Sequence, residues 1–220
     1  MILAVTAGKG GVGKSTVALN LAAELDAVAV DADLAMADLP SARGPDLHDV
    51  LAGRADPVEA VREGGPVTVL PCGRTLAGAR AVDPTALGAA VRRVAREYGT
   101  VVIDSPAGMH GDVGLPLLAA DACVVVTRPT EAALTDAIRA RELARAVETP
   151  LARVVLNRAA DIDTRTVAAA LGGPVTRVPD SDALARAQRA GLPVAAVAPD
   201  SRAARQFQRL AEAVHSAVSS

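Results

Sequence analysis

Tryptophan is absent from the 220 residues, and phenylalanine and tyrosine occur once each. A core without rings must be built from Ala, Val, Leu and Ile, which suits parallel strands covered on both faces. Cysteine is nearly absent as well. Cys72 and Cys123 stand alone, with no CxxC pair and no metal-type spacing to a histidine, which excludes a disulfide framework or a zinc ribbon. Two reduced thiols are expected. The formal net charge of -2 argues against a strongly basic nucleic-acid binder and against a disordered acidic chain. No apolar run approaches the roughly 20 residues that cross a bilayer. The N-terminal Met1–Thr6 stretch lacks the basic segment of a signal peptide. A soluble cytoplasmic protein is the expectation.

Lysine is the most informative scarcity. Lys9 and Lys14 are the only lysines; every other basic side chain is arginine. Arg presents a wide planar fork, whereas Lys presents a compact ammonium on a slim stem. A segment that keeps Lys where the rest of the chain uses Arg reads as a tight phosphate cradle.

Short apolar runs bounded by turn residues recur at Ile2–Ala7, Ala27–Asp31, Val67–Pro71, Val101–Asp104, Cys123–Thr127, Val154–Asn157 and Val175–Pro179. Each is a candidate buried strand. Helical spacing appears between them: Val17, Leu21 and Leu25; Leu87, Val91 and Val94; Leu134, Ile138 and Val147. Phe207, Leu210 and Val214 mark a last helix, with Asp200 or Ser201 as its N-cap. The alternation predicts an α/β fold, a doubly wound and mostly parallel sheet flanked by helices, as one domain over residues 1–220. The Pro/Gly-rich stretch 40–66 reads as a surface excursion with one or two short helices.

Gly8-Lys9-Gly10-Gly11-Val12-Gly13-Lys14-Ser15-Thr16 satisfies G-x-x-x-x-G-K-[ST], after an apolar strand and before an amphipathic helix. Glycines let backbone N–H groups approach phosphate oxygens, and the helix start aims its free N–H groups and positive dipole end at the same anion. Lys14 is expected on the β/γ-phosphates of ATP, Ser15 on Mg²⁺ and Thr16 on the α-phosphate. Asp104 ends an apolar strand, in the manner of a Walker B carboxylate in the Mg²⁺ shell. Ser105 follows it, so the carboxylate that many motor-type ATPases place there is missing, and Asp31-Ala32-Asp33 is the candidate to supply one. Asn157, with Arg158, ends a strand with an amide able to pair with the adenine edge; a cap is the alternative. His110 reads as an ordinary loop residue.

The stretch Lys9–Ser15 resembles the deviant Walker A motif of MinD/ParA ATPases, and the whole chain is closest to the MinD branch, of archaeal type. The resemblance implies that Lys9 reaches the phosphates of a partner subunit across a nucleotide-sandwiched homodimer. Such a charge supplied in trans is worth on the order of 10³–10⁵ in rate. Asp31-Ala-Asp33 resembles switch I of that branch, which implies Asp31 in the Mg²⁺ shell and Asp33 on the attacking water. Asp38 stands where the family usually has Asn. Asp104–Gly108 resembles switch II. Val178-Pro179-Asp180, with Ala183 and Gly191–Pro193, resembles a second adenine-facing loop.

The expected function is a regulatory ATPase that dimerises on ATP and hydrolyses it slowly to position a division site or another structure, through an unknown activator or cargo. A DNA-partition ATPase is the alternative, with Arg92, Arg93, Arg96, Arg139 and Arg141 as a possible patch, though DNA binding is not favoured. A metabolic ligase or an iron–sulfur carrier of the same superfamily ranks lower. The last helix has a basic face, Arg202, Arg205 and Arg209, but its apolar residues read as core, so no membrane-anchoring helix is expected.

Overall fold

The computed structural model describes residues 1–34, 39, 44–73, 75–108, 114–159 and 163–219. Strands and helices alternate as β1 (Ile2–Thr6), α1 (Lys14–Glu24), β2 (Val28–Asp31), α2 (Leu47–Leu51), β3 (Thr68–Leu70), α3 (Leu76–Ala81), α4 (Leu87–Tyr98), β4 (Val101–Asp104), α5 (Gly114–Ala119), β5 (Ala122–Thr127), α6 (Glu131–Ala146), β6 (Leu151–Asn157), α7 (Arg165–Leu171), β7 (Val175–Val178), α8 (Asp182–Ala190), α9 (Val194–Val197) and α10 (Arg202–Val218). The strands form one sheet ordered β3-β2-β4-β1-β5-β6-β7, and every neighbouring pair is parallel. The expected α/β doubly wound sheet is what the chain builds.

Side-chain alternation divides the core. Leu3 and Val5 of β1 face α1 and α10 with Val102, Val124 and Val155. Ile2 faces α2 and α4, and Ala4 faces α6 and α7. Strands buried on both sides explain the near-continuous Val runs. The chain leaves β1 toward β2 and β3, returns to insert β4 beside β1, then builds outward through β5. This reversal at β1 opens a crevice at the carboxyl ends of β1 and β4, the place where such sheets take ligands.

Two expectations need correction. The buried stripe of α6 is Ala133, Ala137, Ala140 and Ala144, while Ile138 is 37% exposed. The helix lies close on β5, where there is room for methyl groups, so the larger side chains turn to its flanks. The stretch 40–66 is also more than a surface excursion. Leu47, Leu51 and Ala60 are buried, packed with β2 and α4. The α2 helix starts in register with the end of β3, with Leu47 N donating to Pro71 O at 2.8 Å and His48 N to Cys72 O at 3.1 Å. The last helix behaves as read: Ser201 caps it, accepting from Ala204 N, and Phe207, Leu210 and Val214 are wholly buried. Its arginines 202, 205 and 209 face outward. Among the described residues, no helix is long and apolar enough to cross a membrane.

Candidate functional site

The glycine-rich segment runs from the end of β1 directly into α1. Gly11 and Gly13 take φ values of 77° and 98°, a region where a side chain would be strained. A Cβ on Gly13 would also lie 2.1 Å from Asn157 Nδ2. Gly8 is needed for another reason, because a Cβ there would stand 1.9 Å from the backbone oxygen of Asp136 in α6. Gly13 is the N-cap of α1, and no side chain caps that helix. The result is a loop of closely approachable backbone ahead of an uncapped helix start, which fits an anion the size of a phosphate.

Lys14 is 5% exposed, and its Nζ lies 2.6 Å from Asp104 Oδ1, itself fully buried. A buried ion pair is held at a desolvation cost, and removing one partner strands the other, at about 3–5 kcal/mol. Asp31 is buried beside it, because Asp31 and Asp104 are register partners at the carboxyl ends of β2 and β4. Asp31 also organises the chain beyond β2, accepting from Asp33 N at 3.3 Å and Leu39 N at 3.0 Å. Ser15 sits half-buried in the first turn of α1. Two carboxylates and a hydroxyl suit Mg²⁺, which keeps waters and takes phosphate oxygens rather than filling an all-protein cage. No cluster of three or more His, Cys, Asp or Glu residues is poised for a metal among the described residues.

Lys9 differs from Lys14. It is exposed and makes no hydrogen bond or ion pair among the described residues. Gly10 and Gly11 beside it are exposed, Val12 is buried, and Thr16 is half-buried with its carbonyl accepting from Asn20 Nδ2. Asp33 is half-buried two residues past the end of β2, in the stretch expected to act as switch I. Gly108, in the stretch expected to act as switch II, has φ 95°. Asp38 and His110 lie outside the described residues.

The residues expected on the base side converge at the ends of β6 and β7. Asn157 and Val178 are register partners, so Arg158 and the following Pro179 and Asp180 stand at neighbouring strand ends. Arg158 is exposed in a left-handed conformation, φ 51°. Asn157 is 3% exposed. Its Nδ2 donates to Val12 O at 2.8 Å and its Oδ1 accepts from Arg158 N at 2.9 Å. Here the amide ties β6 to the phosphate loop, a use that spacing alone did not suggest.

Other residues at the site carried no motif. Asn20, 2% exposed, bonds Thr16 O and accepts from Val194 N at 2.7 Å, joining α1 to α9. His48 and Cys72, both buried, reach the backbone at Asp33 and Leu34. Burial pushes the Cys72 thiol well above its ordinary range, and the carboxylates of Asp31, Asp33 and Asp46 push the same way. Burial also takes Cys123 to about 11. Both thiols are free and held protonated.

Comparison with known proteins agrees with this geometry. The CobQ/CobB/MinD/ParA nucleotide binding domain family matches residues 3–194. The chain belongs to the MinD/ParA family of P-loop ATPases. It is 37% identical over 169 residues to an uncharacterized ATP-binding protein of Methanocaldococcus jannaschii, a match covering 72% of this chain but 64% of that relative. Among solved structures, it resembles the cell division ATPase MinD of Pyrococcus furiosus at 29% identity, with a TM-score of 0.91 over 98% of both chains. It also resembles the septum site-determining protein MinD of Pyrococcus horikoshii complexed with Mg-ADP. That match has 28% identity and a TM-score of 0.90, over 97% of this chain and 95% of the other. For a MinD/ParA protein, the pairing of one buried and one exposed lysine on a single loop is the feature that bears on mechanism.

Proposed function

We propose that this MinD/ParA ATPase binds Mg²⁺–ATP, pairs with a second copy of itself around the nucleotide, and separates after slow hydrolysis, acting as a spatial switch. The observation that carries the reading is the contrast between Lys14 and Lys9. Lys14 is enclosed at the helix start, within reach of the phosphates its own loop would hold. Lys9 stands exposed on the same loop, available to a phosphate held by another copy. In this reading Lys14 leaves Asp104 for the β- and γ-phosphates, while Ser15, Asp31 and Asp104 hold the Mg²⁺ shell. Magnesium held there would supply charge neutralisation for the transferred phosphoryl group. Asp33 orients the attacking water, and the Arg158 and Pro179–Asp180 strand ends border the base.

Cys72 follows the edge strand β3, Cys123 lies near the start of the interior strand β5, and both side chains are buried. Thiols buried in this way are not offered to a cluster shared between two copies. A position at the division site or on another cellular structure follows from likeness to MinD and is part of the proposal.

The test is the mass of the protein in solution by light scattering. Wild type should move from monomer toward dimer with Mg²⁺–ATP, and Asp33→Ala should stay dimeric because hydrolysis is blocked. Lys9→Ala should bind nucleotide yet neither dimerise nor hydrolyse normally, with turnover lower by on the order of 10³-fold for a charge delivered in trans. An unchanged mass in both wild type and Asp33→Ala, or equal turnover in Lys9→Ala and wild type, counts against the switch.

A further inference from the structure

Switch I leaves β2 at Asp31, and its first turn is held from the side by two buried groups that no motif includes. The Cys72 Sγ lies 3.1 Å from Asp33 O, and the His48 Nε2 lies 3.1 Å from Leu34 O. The two groups are themselves 3.4 Å apart. We infer that His48 and Cys72 are positioning residues for hydrolysis: together they grip two consecutive switch I carbonyls and so set the Asp33 carboxylate for the attacking water. The inference rests on the role proposed above for Asp33.

The proton count is consistent with a grip. A thiol donates its single S–H to Asp33 O, and a neutral imidazole protonated at Nε2 donates to Leu34 O. The ring's Nδ1 is buried without a hydrogen-bond partner, which agrees with a bare lone pair there, since a buried N–H left unsatisfied costs more. The imidazole also has no freedom to turn away. A Cβ on Gly73 would come within 2.7 Å of His48 Nδ1, and one on Gly78 within 2.8 Å, so backbone closes over that edge of the ring. His48 is 3% exposed and Cys72 is fully buried.

The grip is anchored to the sheet. His48 N and Leu47 N bond the carbonyls of Cys72 and Pro71 just past β3, and β3 pairs with β2. Asp31 holds the same stretch from the other side through Asp33 N. Asp33 is therefore fixed by its own N–H, its own carbonyl and the next carbonyl. A displacement of about 1 Å in a reacting group can cost on the order of 10²-fold in rate, so such a support matters to turnover more than to binding.

The experiment measures kcat and KM for Mg²⁺–ATP in four variants, beside wild type and Asp33→Ala. His48→Leu and Cys72→Ala remove the donors; His48→Gln and Cys72→Ser keep one. The expected result is a kcat lower by on the order of 10- to 100-fold in His48→Leu and several-fold in Cys72→Ala. KM should stay within about 2-fold, and the donor-keeping variants should recover most of the rate. Unchanged kcat in both Cys72→Ala and His48→Leu overturns the inference, as does an equal loss in donor-keeping and donor-lacking variants. Should His48→Leu fail to fold, the Cys72 pair carries the same comparison. Wild type and Asp33→Ala judge the underlying reading separately: hydrolysis that survives in Asp33→Ala removes the role of Asp33, whatever the four variants do.

Discussion

Tyr98 is the only phenol in the chain, and no tryptophan obscures it. Its hydroxyl donates to Glu63 Oε1 at 2.6 Å. Ionisation would lose that donor, so the hydrogen bond, with help from burial, pushes Tyr98 up to about 12. The unfolded phenol ionises near its ordinary value of about 10. The contact therefore contributes below that pH and is lost as pH rises through about 12. Ultraviolet phenolate absorbance should show a native midpoint well above that of the unfolded chain, and Glu63→Gln should bring it down. Coincident native and unfolded midpoints would refute the bond. Legibility at this scale followed chemistry. Lys9, Lys14, Asp31, Asp33 and Asp104 lie in contiguous stretches that resemble family motifs, and the resemblance supplies the roles expected of them. His48 and Cys72 meet across 24 residues, joined by a helix start and a strand end, and nothing in their local pattern announces the meeting. Asn157 was legible as a polar strand end, but its bond to Val12 spans 145 residues.

The strands were the most legible elements, because a short Val-rich run between turn residues has one comfortable place in a doubly wound sheet. The α6 helix was misread for a physical reason. Hydropathy weights Leu134 and Ile138 above alanine, yet the surface a helix buries depends on how closely it approaches the sheet. Ala137 is 1% exposed and Ile138 37%. Ala137→Leu should overpack the contact with β5 and destabilise by about 1–3 kcal/mol. Ile138→Gln should stay within about 0.5 kcal/mol, as an outward-facing change. Urea denaturation of both variants checks the pair; a larger loss for Ile138→Gln would reverse the assignment of faces. The short α2 helix escaped notice as a packed element because Pro and Gly around it suggested a surface path, although Leu47 and Leu51 have the i, i+4 spacing of a buried face.

At the scale of the molecule, the phosphate loop joins distant parts of the fold. It continues β1, starts α1, meets β4 through Lys14–Asp104, touches α6 at Gly8, and is tied to β6 by Asn157. A ligand held there by the native state alone stabilises the fold by mass action, about 2.7 kcal/mol at a concentration 100 times its Kd. Mg²⁺–ATP should raise the Tm of wild type and of Asp33→Ala alike, and Lys14→Ala should lose the shift. A thermal melt that ignores saturating nucleotide in wild type would sink the site assignment. The crevice was legible because such sheets take ligands at the carboxyl ends of their strands, and the glycine-rich motif follows the first of them. The layers that close around it were less so, since they depend on contacts between chain segments far apart in sequence. The arginine-for-lysine economy of the surface has a practical corollary. With Lys14 sealed against Asp104, the lysine amines open to solvent reduce to Lys9. An acylating dye or a short bifunctional linker would then mark the mouth of the phosphate loop almost by itself, turning compositional bias into a built-in handle.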